Sequence, residues 1–190
     1  MSSDFAAARI NMVDCQIRIN DVTDFALQDA LRVTPRETCV PADQAFRAYA
    51  DLEVQYAPGR WLLRPRDVSK LLQSLHAQAG EKALAIAAPY AGAVLENMGL
   101  SVTHIAEGDL TAISGGPYDV IVVEGGVSEV PASWTAALAP GGRLGVVERA
   151  GPVGRAVMYV RAADGVGRRV MFDSAAPLLA GFEPEAKFAF

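Results

Sequence analysis

The sequence predicts an α/β protein: an open, mostly parallel sheet of the doubly wound kind that follows a helical N-terminal lead and ends in an antiparallel β-hairpin. Apolar residues recur at helical spacing from residue 4 to 78, and after Gly80 short apolar runs alternate with glycine-rich turns. The last two runs flank Ala163-Asp164-Gly165, which is typical of a hairpin turn. With 190 residues, 51% of them hydrophobic and 21% charged, the chain has the composition of one globular domain. We therefore expect one domain over 1–190, with the helical lead in 1–79 and the sheet core in 80–190.

Two helices are predicted to open the chain. Ile10, Val13 and Ile17 follow the i, i+3, i+7 spacing of one helical face. Phe25 begins a second short apolar face, and Asp24 before it is a suitable N-cap.

The segment that follows is predicted to be less regular. Thr34-Pro35-Arg36-Glu37 has the form of a capping box, but Pro41 leaves room for only a short helical turn. Residues 47–58 show no clear period. A longer amphipathic helix is predicted after Pro65 and before Gly80, where it would pack on the sheet. Its apolar face consists of Val68, Leu71, Leu72 and Leu75.

Six strands are predicted after Gly80. They are Lys82 to Ala87, Leu100 to Ile105, Tyr118 to Val123, Arg143 to Glu148, Ala156 to Arg161 and Val166 to Phe172. The first four are nearly continuous apolar runs, as expected of parallel strands covered on both faces. Residues 91–98 and 131–138 are predicted to be crossover helices.

Composition excludes several classes of partner. The net charge of −5 and a pI near 5.0, without a cluster of Lys and Arg, exclude a nucleic-acid or anionic-membrane surface. No apolar run approaches the roughly 20 residues that a membrane span needs, so we expect a cytoplasmic protein. Cys15 and Cys39 are predicted to be reduced thiols. His76 and His104 have no second His or Cys at metal-ligand spacing, so no metal is expected.

A ligand of an open parallel sheet binds beyond the carboxyl ends of its strands. The first βα turn, Ala85 to Gly92, contains no G-x-G, and Pro89 removes a backbone donor, so a nucleotide cradle is not expected there. Glu124-Gly125-Gly126 ends a buried strand at the same edge, either as a ligand contact or as an ordinary turn. His104 precedes the carboxylates of Glu107 and Asp109, but no nucleophile accompanies them.

Several blocks of the chain resemble the protein-L-isoaspartate (D-aspartate) O-methyltransferase family, and its bacterial branch in particular. They are Met12 to Arg18, Asn20 to Asp24, Thr34 to Glu37 with Val40-Pro41, Ala48 to Asp51, Tyr118 to Gly125 and Leu138 to Leu144. The resemblance implies a Rossmann-like class I methyltransferase fold that binds S-adenosylmethionine over its first two strands. It also implies methyl transfer to the carboxylate of isoaspartyl residues.

The chain departs from that family at the implied cofactor site. The family's acid followed by G-x-G-x-G falls on Ala85 to Tyr90, so Ala85 stands at the acid and Ala87 at the first glycine, with Ala88 next and a deletion around Pro89. The positions implied for a cofactor are therefore degenerate, and Glu107, Glu124 and Gly125 are the remaining candidates.

Two further departures concern the acceptor site and the length. The resemblance implies that residues 1–79 include the segment that faces the substrate. The family's acceptor motif within it falls on Gly59, Arg60, Trp61, Leu62, Leu63, Arg64 and Pro65. Trp61 and Leu63 replace its two hydroxyl residues. Between Leu100 and Gly116 the chain is short by about one αβ unit, roughly 20 to 30 residues. Strand 100–105 is then either the second or the third family strand.

These departures lead to a hypothesis with two alternatives. The first is a degenerate, non-catalytic family member without a cofactor, which binds a protein partner through the segment around Trp61. An equal alternative for this segment is that Trp61 and the leucines fill the vacated cleft. The alternative is an active S-adenosylmethionine-dependent protein-L-isoaspartate methyltransferase with an altered cofactor site. A third reading is that the remodelled cleft binds another small molecule. The sequence does not indicate an oligomeric state.

Overall fold

The computed structural model describes residues 4–184. The helices are α1 (Phe5–Met12), α2 (Phe25–Val33), α3 (Pro65–Leu75), α4 (Pro89–Asn97) and α5 (Ala132–Ala136). The strands are β1 (Val54–Ala57), β2 (Arg60–Leu62), β3 (Lys82–Ile86), β4 (Ser101–Ile105), β5 (Tyr118–Val127), β6 (Leu138–Glu148), β7 (Arg155–Ala162) and β8 (Gly165–Asp173). A π-helical turn over Val13–Ile17 extends α1, and short 3₁₀ turns span Arg18–Asn20, Arg36–Cys39 and Ala45–Arg47.

The main sheet has six strands in the order β4-β3-β5-β6-β7-β8. The first four are parallel, whereas β7 and β8 run antiparallel to their neighbours and form the predicted hairpin. Ile86, at the end of β3, lies opposite both Ile105 of β4 and Val123 of β5. The carboxyl ends of these three strands therefore meet at one edge, where a ligand crevice is expected.

The position of β4 answers the question of which strand is missing. β4 pairs directly with β3, as the second strand pairs with the first in the doubly wound order 3-2-1-4-5. Within residues 4–184 no strand lies beyond β4, and residues 106–117 contain neither helix nor strand. The expected shortening therefore falls on the third strand and the connection that would carry it.

Both faces of β3 and β5 are buried, as their apolar runs predict. The same prediction was wrong for β4, which is exposed or half-buried along its length because it lies at the edge of the sheet. Ala83 and Ala85 of β3 point into a core shared with α1 to α4, whereas Leu84 and Ile86 point into a second core on the opposite face. The only helix of the described chain in that second core is α5, through the fully buried Trp134, whose indole N–H donates to the Leu110 carbonyl at 2.8 Å. The apolar face of α3 is buried as predicted.

The structure corrects the sequence at the predicted capping box. The Thr34 hydroxyl donates to the Ala30 carbonyl at 2.7 Å, so Thr34 ends α2 and does not cap the next turn. Glu37 does not turn back to Thr34 either, because its carboxylate pairs with Arg9 at 3.0 Å. Asp24 does cap α2, accepting the Leu27 N–H at 3.1 Å.

Several predictions were wrong in their extent: strand β6, for example, begins at Leu138 and not at Arg143, so helix α5 is shorter than the predicted 131–138. Residues 47–58 were expected to be irregular, yet β1 lies within them and pairs with β2, the chain turning at Gly59 with φ of +67°. Strand β5 was expected to end at Val123 but continues to Val127. Its extension is held by the C-terminal segment, since the Gly126 N–H donates to the Pro177 carbonyl and the Leu179 N–H to the Gly126 carbonyl.

Candidate functional site

The first βα turn is buried in the protein. Ala85, Ala87, Ala88 and Tyr90 are each at most 2% exposed. Ala87 has a φ of +46°, and its N–H donates to the Ile105 carbonyl at 2.8 Å. A backbone conformation usually reserved for glycine is therefore present, and the residue that adopts it is an alanine.

The N-terminal end of α4 is occupied by a side chain of the protein. Glu124 is fully buried, and its carboxylate accepts three backbone hydrogen bonds. They come from the N–H groups of Ala91 at 3.0 Å, Tyr90 at 3.2 Å and Leu63 at 3.4 Å. Because the first N–H groups of a helix and its dipole attract anions, Glu124 takes the place that an anionic ligand of this turn would use.

Arg36 carries the positive charge that lowers the pKa of the Glu124 carboxylate against the raising effect of burial. Its guanidinium is fully buried, lies 4.6 Å from the centre of the Tyr90 ring, and donates Nε to the Ala48 carbonyl at 2.7 Å and Nη2 to the Leu63 carbonyl. Arg36 Nη1 and the Tyr90 hydroxyl are buried and have no hydrogen-bond partner within residues 4–184. The cluster of Arg36, Glu124 and Tyr90, called here the buried polar cluster, thus joins the N-terminal lead to the sheet edge.

Burial dominates the ionisation of this neighbourhood. It raises the pKa of Glu124 to about 6, against the opposing effects of Arg36 and the three N–H donors. It also raises the pKa of the Cys39 thiol to about 11 and the pKa values of the Tyr90 and Tyr56 phenols. At neutral pH the thiol and phenols are therefore uncharged, and Arg36 and Glu124 are the charged groups of this neighbourhood.

The acceptor segment is divided between core and surface. Leu62, Leu63 and Pro65 are buried, so these residues do not face a partner, contrary to the sequence-based expectation. Leu62 and Leu63 belong to the core that α1 to α4 share, and Pro65 is the buried first residue of α3. Arg64 is held by an ion pair with Glu53 at 2.9 Å.

The remaining residues of that segment lie at the rim. Trp61 is half-buried and lines a cavity of about 590 Å³, whose other lining residues are Pro41, Asp43, Gln44, Arg47, Gln55, Tyr56, Ala57 and Pro58. Arg60 is half-buried beside Gly59, and the Gly59 carbonyl accepts from the Ala180 N–H at 3.2 Å. Trp61 therefore lines an open hollow beside the β1–β2 hairpin.

The C-terminal segment covers the other candidate at the crevice. Gly125 is buried with a φ of +141°, and a Cβ at this position would stand 2.5 Å from Leu179 Cδ2. Gly125 thus provides close packing against Leu179, a role that neither the turn nor the ligand-contact interpretation anticipated.

The loop candidates are not brought together. Glu107 is exposed on the loop after β4. His104 pairs with Glu96 of α4 at 3.0 Å, whereas the Asp109 carboxylate accepts from the backbone and hydroxyl of Thr111. His76 ends α3 with a φ of +46° and is exposed. These residues form no catalytic constellation with Glu124.

Two absences complete the description of residues 4–184. No group of three or more His, Cys, Asp or Glu side chains is arranged to hold a metal ion. In the same part of the chain, no helix has the length and apolar character needed to cross a membrane.

Sequence reasoning missed Arg36 as a site residue. A signal was present, because Glu124 directly follows the buried apolar run Val120 to Val123, and a carboxylate so placed needs a compensating partner. Which of the 17 basic residues supplies it cannot be read from spacing, since Arg36 precedes Glu124 by 88 positions.

Comparisons with known proteins bear on the same regions. The family model described as protein-L-isoaspartate (D-aspartate) O-methyltransferase (PCMT) matches residues 95–166. A protein-L-isoaspartate O-methyltransferase of Methylorubrum extorquens is 32% identical over 168 residues, which covers 74% of each chain. Another, of Rhodopseudomonas palustris (strain HaA2), is 32% identical over 171 residues, covering 75% of this chain and 70% of the relative.

Two solved structures are similar in fold. One protein-L-isoaspartate O-methyltransferase superposes with a TM-score of 0.73 at 17% identity, over 94% of this chain and 67% of its own. A second structure, described as a PCMT from Plasmodium falciparum in complex with S-adenosyl-L-homocysteine, superposes with a TM-score of 0.71 at 14% identity, over 90% of this chain and 97% of its own. These likenesses confirm the predicted class I methyltransferase fold. Together with the relatives at 32% identity, they lead to one conclusion: the chain belongs to the protein-L-isoaspartate (D-aspartate) O-methyltransferase family.

Proposed function

We propose that this family member is non-catalytic and acts by binding a protein rather than by methyl transfer. The observation that carries the proposal is the position of Glu124, whose carboxylate accepts the Tyr90 and Ala91 N–H groups at the start of α4. In an open parallel sheet, the turn before this helix is where a nucleotide-type ligand is held.

The residues present do not fit S-adenosylmethionine. Its binding over β3 would require the buried turn at Ala87 and Ala88 to open and Glu124 to withdraw. Withdrawal would break three backbone hydrogen bonds, each of which contributes about 1 kcal/mol, and more when the acceptor is charged. A loss of several such bonds offsets most of a micromolar affinity, which corresponds to about 8 kcal/mol.

The second candidate function is the active enzyme, an S-adenosylmethionine-dependent protein-L-isoaspartate O-methyltransferase with an altered cofactor site. The comparisons favour this candidate over the first. The curated relatives at 32% identity carry that enzyme's name, and the Plasmodium falciparum structure contains S-adenosyl-L-homocysteine. In this case the turn at Ala87 would have to rearrange when the cofactor binds.

Calorimetry separates the two candidates. S-Adenosylmethionine and S-adenosylhomocysteine are each titrated into the folded protein, with the Methylorubrum extorquens relative as the positive control. We expect no saturable heat from this chain. A dissociation constant below roughly 10 μM, about −7 kcal/mol, would overturn the non-catalytic proposal. Turnover of an isoaspartyl peptide at high protein concentration would overturn it as well and support the enzyme.

The partner surface is also part of the proposal. With Leu62 and Leu63 in the core, the remaining candidate surface is the rim around Trp61, together with Phe46, which is 72% exposed. Exposed aromatic side chains are enriched at the centres of protein interfaces. A co-purifying protein that is lost on Trp61→Ala but retained on Val153→Ala, a control at another exposed apolar residue, supports this surface. Retention on both variants would exclude it.

We propose that the protein acts in the cytoplasm. Both cysteines are free, Cys15 being exposed and Cys39 half-buried, which suits a reducing compartment.

A further inference from the structure

We infer that the N-terminal end of α4 is a carboxylate-binding site whose resident ligand is the chain's own Glu124. The inference rests on the proposed function, in which the crevice is filled from within. It goes further by treating the buried polar cluster as a binding site in its own right and by naming the chemical class it takes: a small carboxylate.

The first argument is the donor set. Three N–H groups converge on the Glu124 carboxylate at 3.0 to 3.4 Å, two of them from the first turn of α4 and one, from Leu63, at the end of the acceptor segment. Helix α4 has nine residues, so its N-terminal end carries the positive pole of a helix dipole. The donors belong to the backbone of separate elements, α4 and the segment that directly follows β2.

The second argument is an unused donor. Arg36 is fully buried, and its Nε and Nη2 already donate to backbone carbonyls. Its Nη1 has no hydrogen-bond partner within the described residues. A buried N–H on a charged group without an acceptor is unfavourable, so the cluster contains a donor that Glu124 leaves unsatisfied.

The third argument is the charge of the surroundings. The other titratable groups that act on Glu124 and Tyr90 are the phenols of Tyr49 and Tyr56 and the thiol of Cys39, whose pKa values burial raises. They are neutral at pH 7. Without the Glu124 carboxylate, the cluster would therefore hold the Arg36 charge and the helix pole with nothing to balance them, a combination that favours an anion.

The fourth argument is size. Replacing Glu124 by Ala removes Cγ, Cδ and both carboxylate oxygens, which are together the heavy atoms of acetate. Acetate is thus the isosteric probe of the vacated site, and acetamide is its neutral match.

The experiment follows the unfolding of Glu124→Ala by urea at pH 7 and above in rising acetate, with chloride at matched ionic strength. Above the dissociation constant for acetate, each tenfold rise in its concentration should raise the folded-to-unfolded ratio of this variant about tenfold. The wild type, whose site is filled, should change less than about threefold. The double variant Arg36→Met/Glu124→Ala should not respond either, because its site lacks the cation.

Four results would overturn the inference. They are an equal response to chloride, an equal response to acetamide, an acetate response that survives in the double variant, and a Glu124→Ala chain that stays unfolded at every acetate concentration. Binding of S-adenosylmethionine by the wild type would overturn the proposed function. It would not decide the present inference, which the acetate response of Glu124→Ala tests independently.

Discussion

Replacing Arg36 by Met tests the energetic role of the buried polar cluster directly. Methionine keeps most of the length and apolar stem of arginine but has no charge and no donor. Arg36 is 0% exposed, so the substitution acts entirely inside the protein. We expect Arg36→Met to lower the free energy of unfolding by about 3–5 kcal/mol, because it removes two buried hydrogen bonds from a charged donor.

The structure accounts for this magnitude. The guanidinium donates to the Ala48 carbonyl at 2.7 Å and to the Leu63 carbonyl, and hydrogen bonds that involve a charged group contribute about 1.5–3 kcal/mol each. Glu124 would in addition lose its compensating charge. The packing of the methionine side chain offsets part of these terms. Since small domains have about 5–15 kcal/mol of total stability, the variant should fold but be much less stable.

The loss should depend on pH with a defined sign. The pKa of Glu124 in the folded wild type is raised to about 6 from 4.5, and Arg36 is among the groups that oppose the rise. Removing Arg36 raises the folded-state pKa further. A carboxyl whose folded pKa lies above its unfolded pKa loses stability as the pH rises between the two values. The destabilisation of Arg36→Met should therefore be larger at about pH 8 than at about pH 5.

Urea denaturation followed by far-UV circular dichroism at both pH values measures the effect. Arg18→Met is the matched control, because Arg18 is 55% exposed and pairs with Asp14 at 3.4 Å, and such surface pairs contribute about 0–1 kcal/mol. The reasoning is refuted if Arg36→Met costs no more than Arg18→Met, or if its cost is larger at the lower pH.

Three further predictions follow from the same region. Relative to Glu124→Gln, the wild type should gain about 2 kcal/mol of unfolding free energy as the pH falls from above 6 to below 4.5, since protonation is favoured in the folded state; an unchanged difference in urea denaturation would contradict the raised pKa. Gly125→Ala should cost about 1–3 kcal/mol through its positive φ and its clash with Leu179, and thermal unfolding of Gly125→Ala/Leu179→Ala should show less than the sum of the single losses; additivity would argue against the contact. With a thiol reagent at about pH 8, Cys15 should react rapidly and Cys39 slowly, because only about 0.1% of a thiol with pKa near 11 is thiolate. A fast phase that persists in Cys15→Ser would contradict the raised pKa of Cys39.

Much of the fold could be predicted from local pattern. The helical spacing of the residues on α3, the apolar runs of β3 to β6 and the Asp164-Gly165 turn each report a period that the backbone geometry imposes. The same patterns failed where one element depends on a distant one. β5 continues through Gly126 only because the segment at Pro177 and Leu179 pairs with it. Thr34 ends one helix instead of beginning another, and its neighbour Glu37 is drawn away by Arg9.

The candidate site divides in the same way. The absence of glycine from the turn at Ala87, and the presence of a carboxylate at Glu124 after a buried strand, are both evident in the sequence. The sequence does not show that these two features lie in contact with each other. Glu124 contacts the N–H groups of Tyr90 and Ala91 because β3 and β5 are neighbours in a parallel sheet and their carboxyl ends meet at one edge.

By itself, then, the sequence determined the α/β class, the mildly acidic character, the family resemblance and the absence of G-x-G from the first βα turn, because composition, motifs and short-range periodicity are local properties of a chain. Only the tertiary structure decided that Arg36 is buried where its charge acts on Glu124, that Leu62 and Leu63 belong to the core, and that the C-terminal segment covers Gly125. The physical reason is that a buried charge is compensated through space by whichever residue the fold brings within reach, and packing of this kind leaves no periodic trace in the sequence.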